Sequence, residues 1–213
     1  MQAALKRAGR EWSIATGADR IRGVFRAEWA HHSPLVEEAL GKQMLALLVQ
    51  LEVACTAADD LAGAVEDAFP QYPDADTLLS FPGLGVQFGA RVLAEIGDDR
   101  NRFADARGLK ACAGLSPITR ASGKKSSVSR RWVKNDRLNH AGYLWTFAAI
   151  TRSPGAKVHY RRRRDHGDWR CAAQRNLFNR MIGQLYCCLQ HNRTYDEAVA
   201  FPESGAAAQA GAA

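Results

Sequence analysis

The sequence predicts a mostly α-helical protein, in which a long coiled-coil-like helix is followed by a helical domain that contains a helix-hairpin-helix. Three observations lead to this fold class. Apolar residues recur at helical spacing through most of the chain, no segment alternates convincingly between apolar and polar residues, and prolines and glycines separate the helical segments. A chain of 213 residues can bury the core of one large or two small domains.

We divide the chain into three parts. Residues 1–73 form a helical connector, which begins with one or two amphipathic helices up to about His32. Residues 74–202 form a C-terminal domain. Residues 203–213 are rich in alanine and glycine, a low-complexity composition that predicts a disordered tail.

The connector contains a coiled-coil segment at about residues 34–69. Ser33 and Pro34 suit an N-cap and a first-turn proline, and Phe69-Pro70 ends the helix. Between these limits, apolar or small residues are spaced alternately four and three apart, as in a coiled-coil seam. They are Leu40, Met44, Leu47, Leu51, Ala54, Ala58, Leu61 and Val65.

This seam predicts that the 40–65 helix joins copies of the chain into a homo-oligomer. The alternative is an ordinary amphipathic helix that packs on its own domain. Leu48 and Val53, which lie beside the seam, favour that alternative.

Residues of about 76–97 have the pattern of a helix-hairpin-helix. An apolar helix leads into the turn Pro82-Gly83-Leu84-Gly85, and a second helix with apolar residues at helical spacing ends at Gly97. The glycines permit a tight turn and leave backbone N–H groups open at a helix N-terminus, where a phosphate oxygen can bind. Such a contact reads no base, so it predicts DNA binding that is indifferent to sequence. A helical hairpin without a ligand is the alternative.

Basic residues are concentrated in one part of the chain. Residues 100–180 contain twenty Lys/Arg and four Asp/Glu, a balance of +16, whereas the rest of the chain has a balance of −9 and the whole chain +7. This concentration favours a polyphosphate partner over a surface that is basic only for solubility. The basic helical part, residues 134–200, includes the run Arg161–Arg164.

The serine loop, at about residues 116–133, is polar and rich in serine. Ser122 lies among cations, which would stabilise the charge of a phosphoryl-transfer transition state, and a serine can act as a nucleophile once its proton is removed. By itself, such a loop is more often phosphate-binding than catalytic. The candidate DNA-binding residues of the whole chain are Pro82, Gly83, Leu84, Gly85, Arg120, Gly123, Lys124, Lys125, Arg130, Arg131, Arg161, Arg162, Arg163 and Arg164.

The sequence does not support a metal site, a cofactor or a membrane segment. The five cysteines form no CxxC pair and the histidines are scattered, so a zinc site is not supported. Mg²⁺ would need converging carboxylates, and the four acidic residues of the basic region lie on no apolar strand. No segment has the length and composition of a signal peptide or a membrane span. We therefore expect a cytoplasmic, nucleoid-associated protein with no metal site of its own.

The order of motifs between about Leu78 and Phe201 adds a resemblance to a known family. It resembles the C-terminal domain of the insertion-sequence transposases of the IS-one-ten / IS-one-sixteen / IS-nine-oh-two family, relatives of the Piv and MooV DNA invertases. Residues 133–136 depart from it, because many members have Lys-x-Gly-Asn there. The matching motifs are Pro82 to Gly85, Gly97-Asp98, Arg102-Phe103, Ala113-Gly114-Leu115 with Pro117, Ser122-Gly123 and Tyr195-Asp196-Glu197.

The resemblance implies that Ser122 attacks a DNA phosphodiester and forms a covalent phosphoserine. Ser126, Ser127 and Ser116 are the next candidates, in that order. Family members also have an N-terminal RuvC-like domain whose acids bind metal ions. We expect this chain to be without that domain, and Mg²⁺ to bind only through it. The implied partners are duplex DNA, from the ends of the insertion sequence and its target, and a structured guide RNA, which some members use.

Two functions stay open from the sequence. The chain is the C-terminal portion of a transposase or site-specific recombinase that cleaves and rejoins DNA with Ser122. Alternatively, it is a non-catalytic DNA-binding and dimerisation fragment of a decayed or split transposase. Both use the coiled coil, the helical hairpin and the basic region, and they differ in whether a carboxylate domain is supplied.

Overall fold

The structure, a computed structural model, describes residues 2, 9, 11–27, 32–129 and 131–202. The chain divides into two compact units, Met1–Ala57 and Ala58–Ala213. The tail predicted for residues 203–213 lies outside the described residues, and so does the candidate DNA-binding residue Arg130.

The first unit contains helix α1, Ile14–Arg26, and the first part of helix α2, Pro34–Ala68, which continues into the second unit. The predicted long helix is thereby confirmed, while its pairing as a coiled coil stays a prediction. All of α2 is described and none of its residues is buried, although the helix is rich in leucine and valine. Four residues of the predicted seam are between 49% and 59% exposed: Leu40, Met44, Leu47 and Leu51.

In the second unit, the described residues form helices of several lengths and one β-hairpin. A 3-10 turn, Phe69–Gln71, comes first. It is followed by α3 (Ala75–Leu79), α4 (Val86–Ile96), α5 (Ala106–Cys112), β1 (Ile118–Ser122), β2 (Lys125–Ser129), α6 (Asp136–Arg152), α7 (Pro154–Asp165), α8 (Arg170–Gln190) and α9 (Glu197–Ala200). The predicted fold class, mostly α, is confirmed.

Polar residues cap four of these helices at the N-terminus. Each side chain accepts a hydrogen bond from a backbone N–H of the first turn, which would otherwise have no partner within the helix. These local contacts explain why the helices begin where they do. The capping residues are Asp105, Asn135, Ser153 and Asp196.

The core of the second unit lies between α6 and α8. Trp145 of α6 is buried, and its ring meets those of Phe81 and Phe178 edge-on, with centroids 5.6 and 6.2 Å away. Gly142 permits this packing, because a Cβ there would lie 1.8 Å from Cζ of Phe178. Other buried side chains of helix α8 in the same core include Leu177, Met181, Ile182 and Leu185.

Glu197 joins α9 to the start of α7. One of its carboxylate oxygens accepts hydrogen bonds from Ser153 Oγ and the backbone N–H of Gly155, both at 2.7 Å. The other accepts from the Tyr195 hydroxyl at 2.8 Å. Burial, together with this hydrogen bond, raises the pKa of Tyr195 above its ordinary value, so the hydroxyl stays a donor. The Tyr195–Glu197 stretch therefore has a structural role, which is to hold α9 against the start of α7.

The serine loop is where the structure departs from the sequence analysis. Residues 118–129 form an antiparallel hairpin rather than an irregular polar loop, with Ile118 paired to Ser129 and Ser122 to Lys125. No apolar alternation marks these strands in the sequence, because residues 119–129 are all exposed and neither face of the hairpin covers a core.

Candidate nucleic-acid interface

The register of the β-hairpin determines which residues share a face with Ser122. Side chains alternate between two faces along a strand, and directly paired residues lie on the same face. Ser122 pairs with Lys125, and Arg120 pairs with Ser127. We call the face with these four residues the serine face. The opposite face carries Thr119, Ala121, Ser126 and Val128.

The serine face brings one candidate nucleophile together with two cations. Arg120 and Lys125 are exposed, and the hairpin contains no acidic residue. Neither of them forms an ion pair within the part of the chain that the structure describes, so both charges are available to a phosphate group. The register also separates the alternative serines. Ser127 lies on the serine face, whereas Ser126, ranked before it from the sequence, lies on the opposite face.

Gly123 and Lys124 form the two-residue turn between the strands. Gly123 has a φ of +57°, which residues with a Cβ rarely adopt, and a Cβ there would meet no atom within 4 Å. A positive φ at the first central residue is typical of a type II′ hairpin turn. Gly123 is therefore needed for the turn, and Lys124 places a third exposed cation at the tip.

The base of the hairpin is held at the junction of α5 and α6. Arg131 donates from Nε to the carbonyl of Ser116 at 3.3 Å, so this candidate DNA-binding residue is also part of the hairpin base. The backbone N–H of Asn135 donates to the carbonyl of the last residue of α5 at 2.8 Å. Gly114, with a φ of +76°, lies against Lys134, because a Cβ there would be 2.2 Å from its Cδ.

Glu95 is an acidic residue tied to this base. Its carboxylate accepts a hydrogen bond from Asn135 Nδ2 at 2.7 Å, and Arg137 lies 4.0 Å from its other oxygen. Asn135 also caps α6, because its Oδ1 accepts from the backbone N–H of Leu138 at 2.9 Å. The stretch 133–136, which departs from the family pattern, thus contains the residue that begins α6 and connects it to α4.

The Pro82–Gly85 turn joins α3 to α4 as predicted, but its two glycines have different surroundings. Gly83 is buried with a φ of +83°, and a Cβ there would lie 2.8 Å from the backbone nitrogen of Ala149. The carbonyl of Pro82 accepts a hydrogen bond from Trp145 Nε1 at 3.0 Å, and Leu84 is buried. Gly85 is exposed, and a Cβ there would meet nothing within 4 Å.

The turn and the base of the hairpin contact opposite ends of α6. The turn lies against Ala148 and Ala149 near its C-terminus, whereas the hairpin base includes its N-cap, Asn135. The distance from Asn135 to Ala149 along a helix is roughly 20 Å. The structure therefore groups Arg120, Ser122 and Lys125, and it separates the Pro82–Gly85 turn from their anchor.

The run Arg161–Arg164 occupies the end of α7. Nε and Nη2 of Arg163 both lie 2.6 Å from the carboxylate of Asp168, and Arg164 donates to the backbone carbonyl of Asp168 at 2.8 Å. Arg161 and Arg162 are exposed. Two of the four candidate arginines thus also shape the loop that follows α7.

Comparison with known proteins relates this geometry to a family. Residues 75–161 match the model of the Transposase IS116/IS110/IS902 family. We call this segment the transposase domain, after the family whose model it matches. It contains the Pro82–Gly85 turn and the whole β-hairpin, and it ends at the first arginine of the run at the end of α7.

Relatives of the transposase domain are similar over longer stretches. The "Mini-circle putative transposase for IS117" of Streptomyces coelicolor is 61% identical over 201 residues, which are 94% of this chain and 49% of that protein. The "Insertion element IS900 uncharacterized 42 kDa protein" of Mycobacterium paratuberculosis is 32% identical over 187 residues, 86% of this chain and 47% of that protein. The chain thus spans about half the length of these two relatives.

A third relative is the "Insertion element IS116 uncharacterized 44.8 kDa protein" of Streptomyces clavuligerus. It is 28% identical over 135 residues, which are 63% of this chain and 34% of that protein.

Within the described residues of the chain, no group of three or more His, Cys, Asp or Glu side chains could hold a metal ion. None of the helices described by the structure is long and apolar enough to cross a membrane.

The strand pairing within the transposase domain, and with it the place of Ser127 on the serine face, was not predicted from the sequence. One signal was present. A Gly-X dipeptide with strand-compatible residues such as Thr119 and Val128 on either side is typical of a two-residue hairpin. Neither the burial of Gly83 nor its contact with Ala149 has a local signal, because the contact joins residues far apart in the chain.

Proposed function

We propose that this chain is the DNA-binding, nucleophile-bearing portion of an insertion-sequence transposase, and that Ser122 attacks the DNA. The serine face carries the proposal, because an exposed hairpin presents Ser122 together with Arg120 and Lys125. The match of residues 75–161 to a transposase family supports the same function.

In the proposed reaction, Ser122 Oγ forms a bond to a backbone phosphorus atom while the bond from that phosphorus to one deoxyribose oxygen breaks. The serine proton passes to a base, and the departing sugar oxygen takes up a proton, which leaves a phosphoserine and a free sugar hydroxyl. Attack by a sugar hydroxyl in the reverse sense rejoins DNA and restores the serine. Arg120 and Lys125 stabilise the additional negative charge on the phosphate oxygens in both steps.

The general base that removes the proton of Ser122 is proposed to lie outside the described residues of this chain. Among the described residues, none forms a hydrogen bond with its hydroxyl, and a serine without a base is a weak nucleophile. The described carboxylates do not fit Mg²⁺ either, since they form no cluster that could hold a metal. We therefore propose that a carboxylate-bearing domain completes the site. Without it, the chain should bind DNA and not cleave it, as the non-catalytic alternative would.

Duplex DNA, from the ends of the insertion sequence and its target, is the proposed partner of the basic residues. Contacts to phosphates through these side chains and through the exposed Gly85 would carry no base information, so binding should be indifferent to sequence and steeply dependent on salt. A structured RNA presents the same phosphates and is the proposed second partner. The exposed cations that support both are Arg120, Lys124, Lys125, Arg161, Arg162 and Arg164.

We also propose that copies of the chain associate through α2. Four of its seam residues line an apolar groove about 390 Å³ in volume, together with Gln43 and Leu48; they are Leu40, Met44, Leu47 and Leu51. Light scattering at micromolar concentration should show a species larger than a monomer. Leu47→Asp combined with Leu51→Asp should convert it to a monomer, whereas Gln50→Asp should leave it unchanged. A strictly monomeric unmutated chain would overturn this part of the proposal.

A covalent-adduct assay tests the nucleophile. The chain is mixed with a cognate carboxylate-bearing domain, Mg²⁺, the structured RNA of the element and a labelled duplex that carries an insertion-sequence end. Protein-linked DNA is then separated under denaturing conditions. Ser122→Ala should abolish the adduct and change duplex affinity by less than about twofold, because a surface hydroxyl adds little to an electrostatic contact.

Two serines of the hairpin provide matched controls for this assay. Ser127→Ala removes a hydroxyl from the serine face, and Ser126→Ala removes one from the opposite face; both variants should still form the adduct. An adduct that persists in Ser122→Ala and maps to another residue would assign the nucleophile there. Cleavage by the chain without the added domain would show that the chain holds its own base.

A further inference from the structure

Trp169 is an exposed tryptophan beside the run Arg161–Arg164. It lies between the end of α7 and the first residue of α8, and 84% of its surface is in solvent. Tryptophan is the largest apolar side chain, and in folded domains it is mostly covered. Such an exposed ring contributes nothing to the core and is well suited to contact a ligand.

The arginine run fixes the loop that presents Trp169. Arg163 forms an ion pair with the Asp168 carboxylate at 2.6 Å, and Arg164 donates to the Asp168 carbonyl at 2.8 Å. Both contacts are made to the residue immediately before Trp169. The residue before Trp169 is thus held by two of the neighbouring arginines.

The backbone of the loop is held on both sides of Trp169. Gly167 makes the turn with a φ of +90°, and its N–H donates to the carbonyl of Arg164 at 3.0 Å. The carbonyl of Trp169 accepts the N–H groups of Ala172 and Ala173, both at 2.9 Å, in the first turn of α8. The main chain is therefore ordered by hydrogen bonds while the indole ring stays in solvent.

The charge around Trp169 is strongly positive. Segment 161–170 contains two acidic residues, and Arg163 neutralises one of them, Asp168. The other, Asp165, is exposed and forms no ion pair among the described residues. This charge favours a polyanion as the partner over a basic or neutral protein surface. The exposed basic residues of the segment are Arg161, Arg162, Arg164 and Arg170, with His166 beside them.

We propose that Trp169 is a stacking platform for an unpaired nucleotide base, and that the neighbouring arginines bind phosphates of the same strand. An exposed aromatic ring in a basic segment is a combination by which proteins bind single-stranded nucleic acid, since every base has a π-face. A duplex keeps its base faces stacked, so this platform selects unpaired strands. The inference rests on the proposed nucleic-acid function and specifies which state of the nucleic acid binds at this loop.

Fluorescence anisotropy with three labelled probes of equal length tests the platform. The probes are oligo(dT), oligo(U) and a blunt DNA duplex, and the protein is the full chain. Trp169→Ala should weaken single-strand binding by about five- to a hundredfold, the range measured for loss of one stacking residue. Duplex affinity should change by less than about twofold, because the arginines remain. A loss on oligo(U) alone or on oligo(dT) alone would assign the strand to RNA or to DNA.

Two variants and one modified probe serve as controls. Trp169→Phe should recover part of the affinity, because a phenyl ring still stacks. Trp12→Ala removes another exposed tryptophan, in the first unit, and should leave all three affinities unchanged. An oligonucleotide whose sugars carry no bases should bind the unmutated chain and Trp169→Ala equally well, because it offers nothing to stack.

Four other results would contradict the stacking platform, and each points to a different explanation. Losses of equal size on all three probes, or a loss on the probe without bases, would show that Trp169 supports the fold or the general charge. A change of oligomeric state in light scattering with unchanged single-strand affinity would assign Trp169 to a protein contact. Unchanged single-strand affinity with intact duplex binding would overturn the platform and leave the proposed function standing. Failure of the unmutated chain to bind any probe would overturn the proposed function itself.

Discussion

The Pro82–Gly85 turn and the β-hairpin are both glycine-containing connections of the transposase domain, and their glycines have opposite surroundings. A Cβ at Gly83 would lie 2.8 Å from the backbone nitrogen of Ala149, whereas a Cβ at Gly123 would meet nothing within 4 Å. Both residues have a positive φ. Gly83 is therefore needed for its conformation and for space, and Gly123 for its conformation alone.

The polar groups of the two regions also differ in their exposure to solvent. The Pro82 carbonyl is bonded to Trp145 in the core, whereas the cations of the serine face are open to solvent. A glycine in a motif can thus mark helix packing rather than contact with a ligand. We therefore expect a change at Gly83 to report mainly on folding, and a change on the serine face to report mainly on the proposed nucleic-acid binding.

The largest expected effect is that of Gly83→Ala on the free energy of unfolding. The left-handed conformation costs a residue with a Cβ about 1–2 kcal/mol, and overpacking against α6 adds about 1–3 kcal/mol, so a loss of about 3 kcal/mol is expected. Gly85→Ala is the matched control. With a φ of −82° and open space around it, it should change stability by less than about 0.5 kcal/mol. Urea unfolding measures both, and equal stabilities would contradict the distinction between the two glycines.

An intermediate effect is expected for Arg120→Gln combined with Lys125→Gln. Duplex affinity should fall roughly tenfold, and the slope of log Kobs against log salt should become less negative by about 2, because two phosphate contacts are lost. The free energy of unfolding should change by less than about 0.5 kcal/mol, since both side chains are exposed.

The opposite face of the hairpin is the control for this pair. Thr119→Ala combined with Ser126→Ala should leave the affinity and the salt slope unchanged in the same anisotropy titrations. If that variant loses as much affinity as the charge-neutralised one, the two faces of the hairpin do not differ in their contact with DNA.

The smallest expected effect on global stability is that of Gly123→Ala. The strain of about 1 kcal/mol or more should stay within the hairpin and raise hydrogen exchange of its amides. The urea midpoint should hardly move, because the hairpin covers no core. Gly123→Asn should restore protection, since asparagine tolerates a positive φ. A loss of global stability as large as that of Gly83→Ala would show that the hairpin belongs to the core.

Local signals in the sequence were sufficient for most of the helices. Pro34 and the heptad spacing predicted α2, and the caps Asn135 and Ser153, with Pro154, are the local signals at the starts of α6 and α7. Gly97 ends α4 as expected. Each of these signals works within a few residues, because a cap, a first-turn proline or a helical period acts on its own segment.

The hairpin shows where such signals fail. Periodicity reveals a strand when one face is buried, and both faces of this hairpin are in solvent, so the turn residue Gly123 was the one usable sign. The serine face itself follows from the register, Ser122 opposite Lys125, and a shift by one residue would place Ser122 beside different neighbours.

The sequence by itself therefore determined the helices, their caps, the concentration of positive charge and the motifs of the transposase domain. Only the tertiary structure decided that Gly83 is buried while Gly85 is open, that Ser122 shares a face with two cations, and that Arg163 and Arg164 hold the loop of Trp169. The physical reason is that a residue's conformational preference is local, whereas its burial and its partners depend on how distant segments pack. Ala149 lies 66 residues from Gly83 in the chain, and its backbone nitrogen, which would lie 2.8 Å from a Cβ at Gly83, leaves no trace in the residues around the glycine.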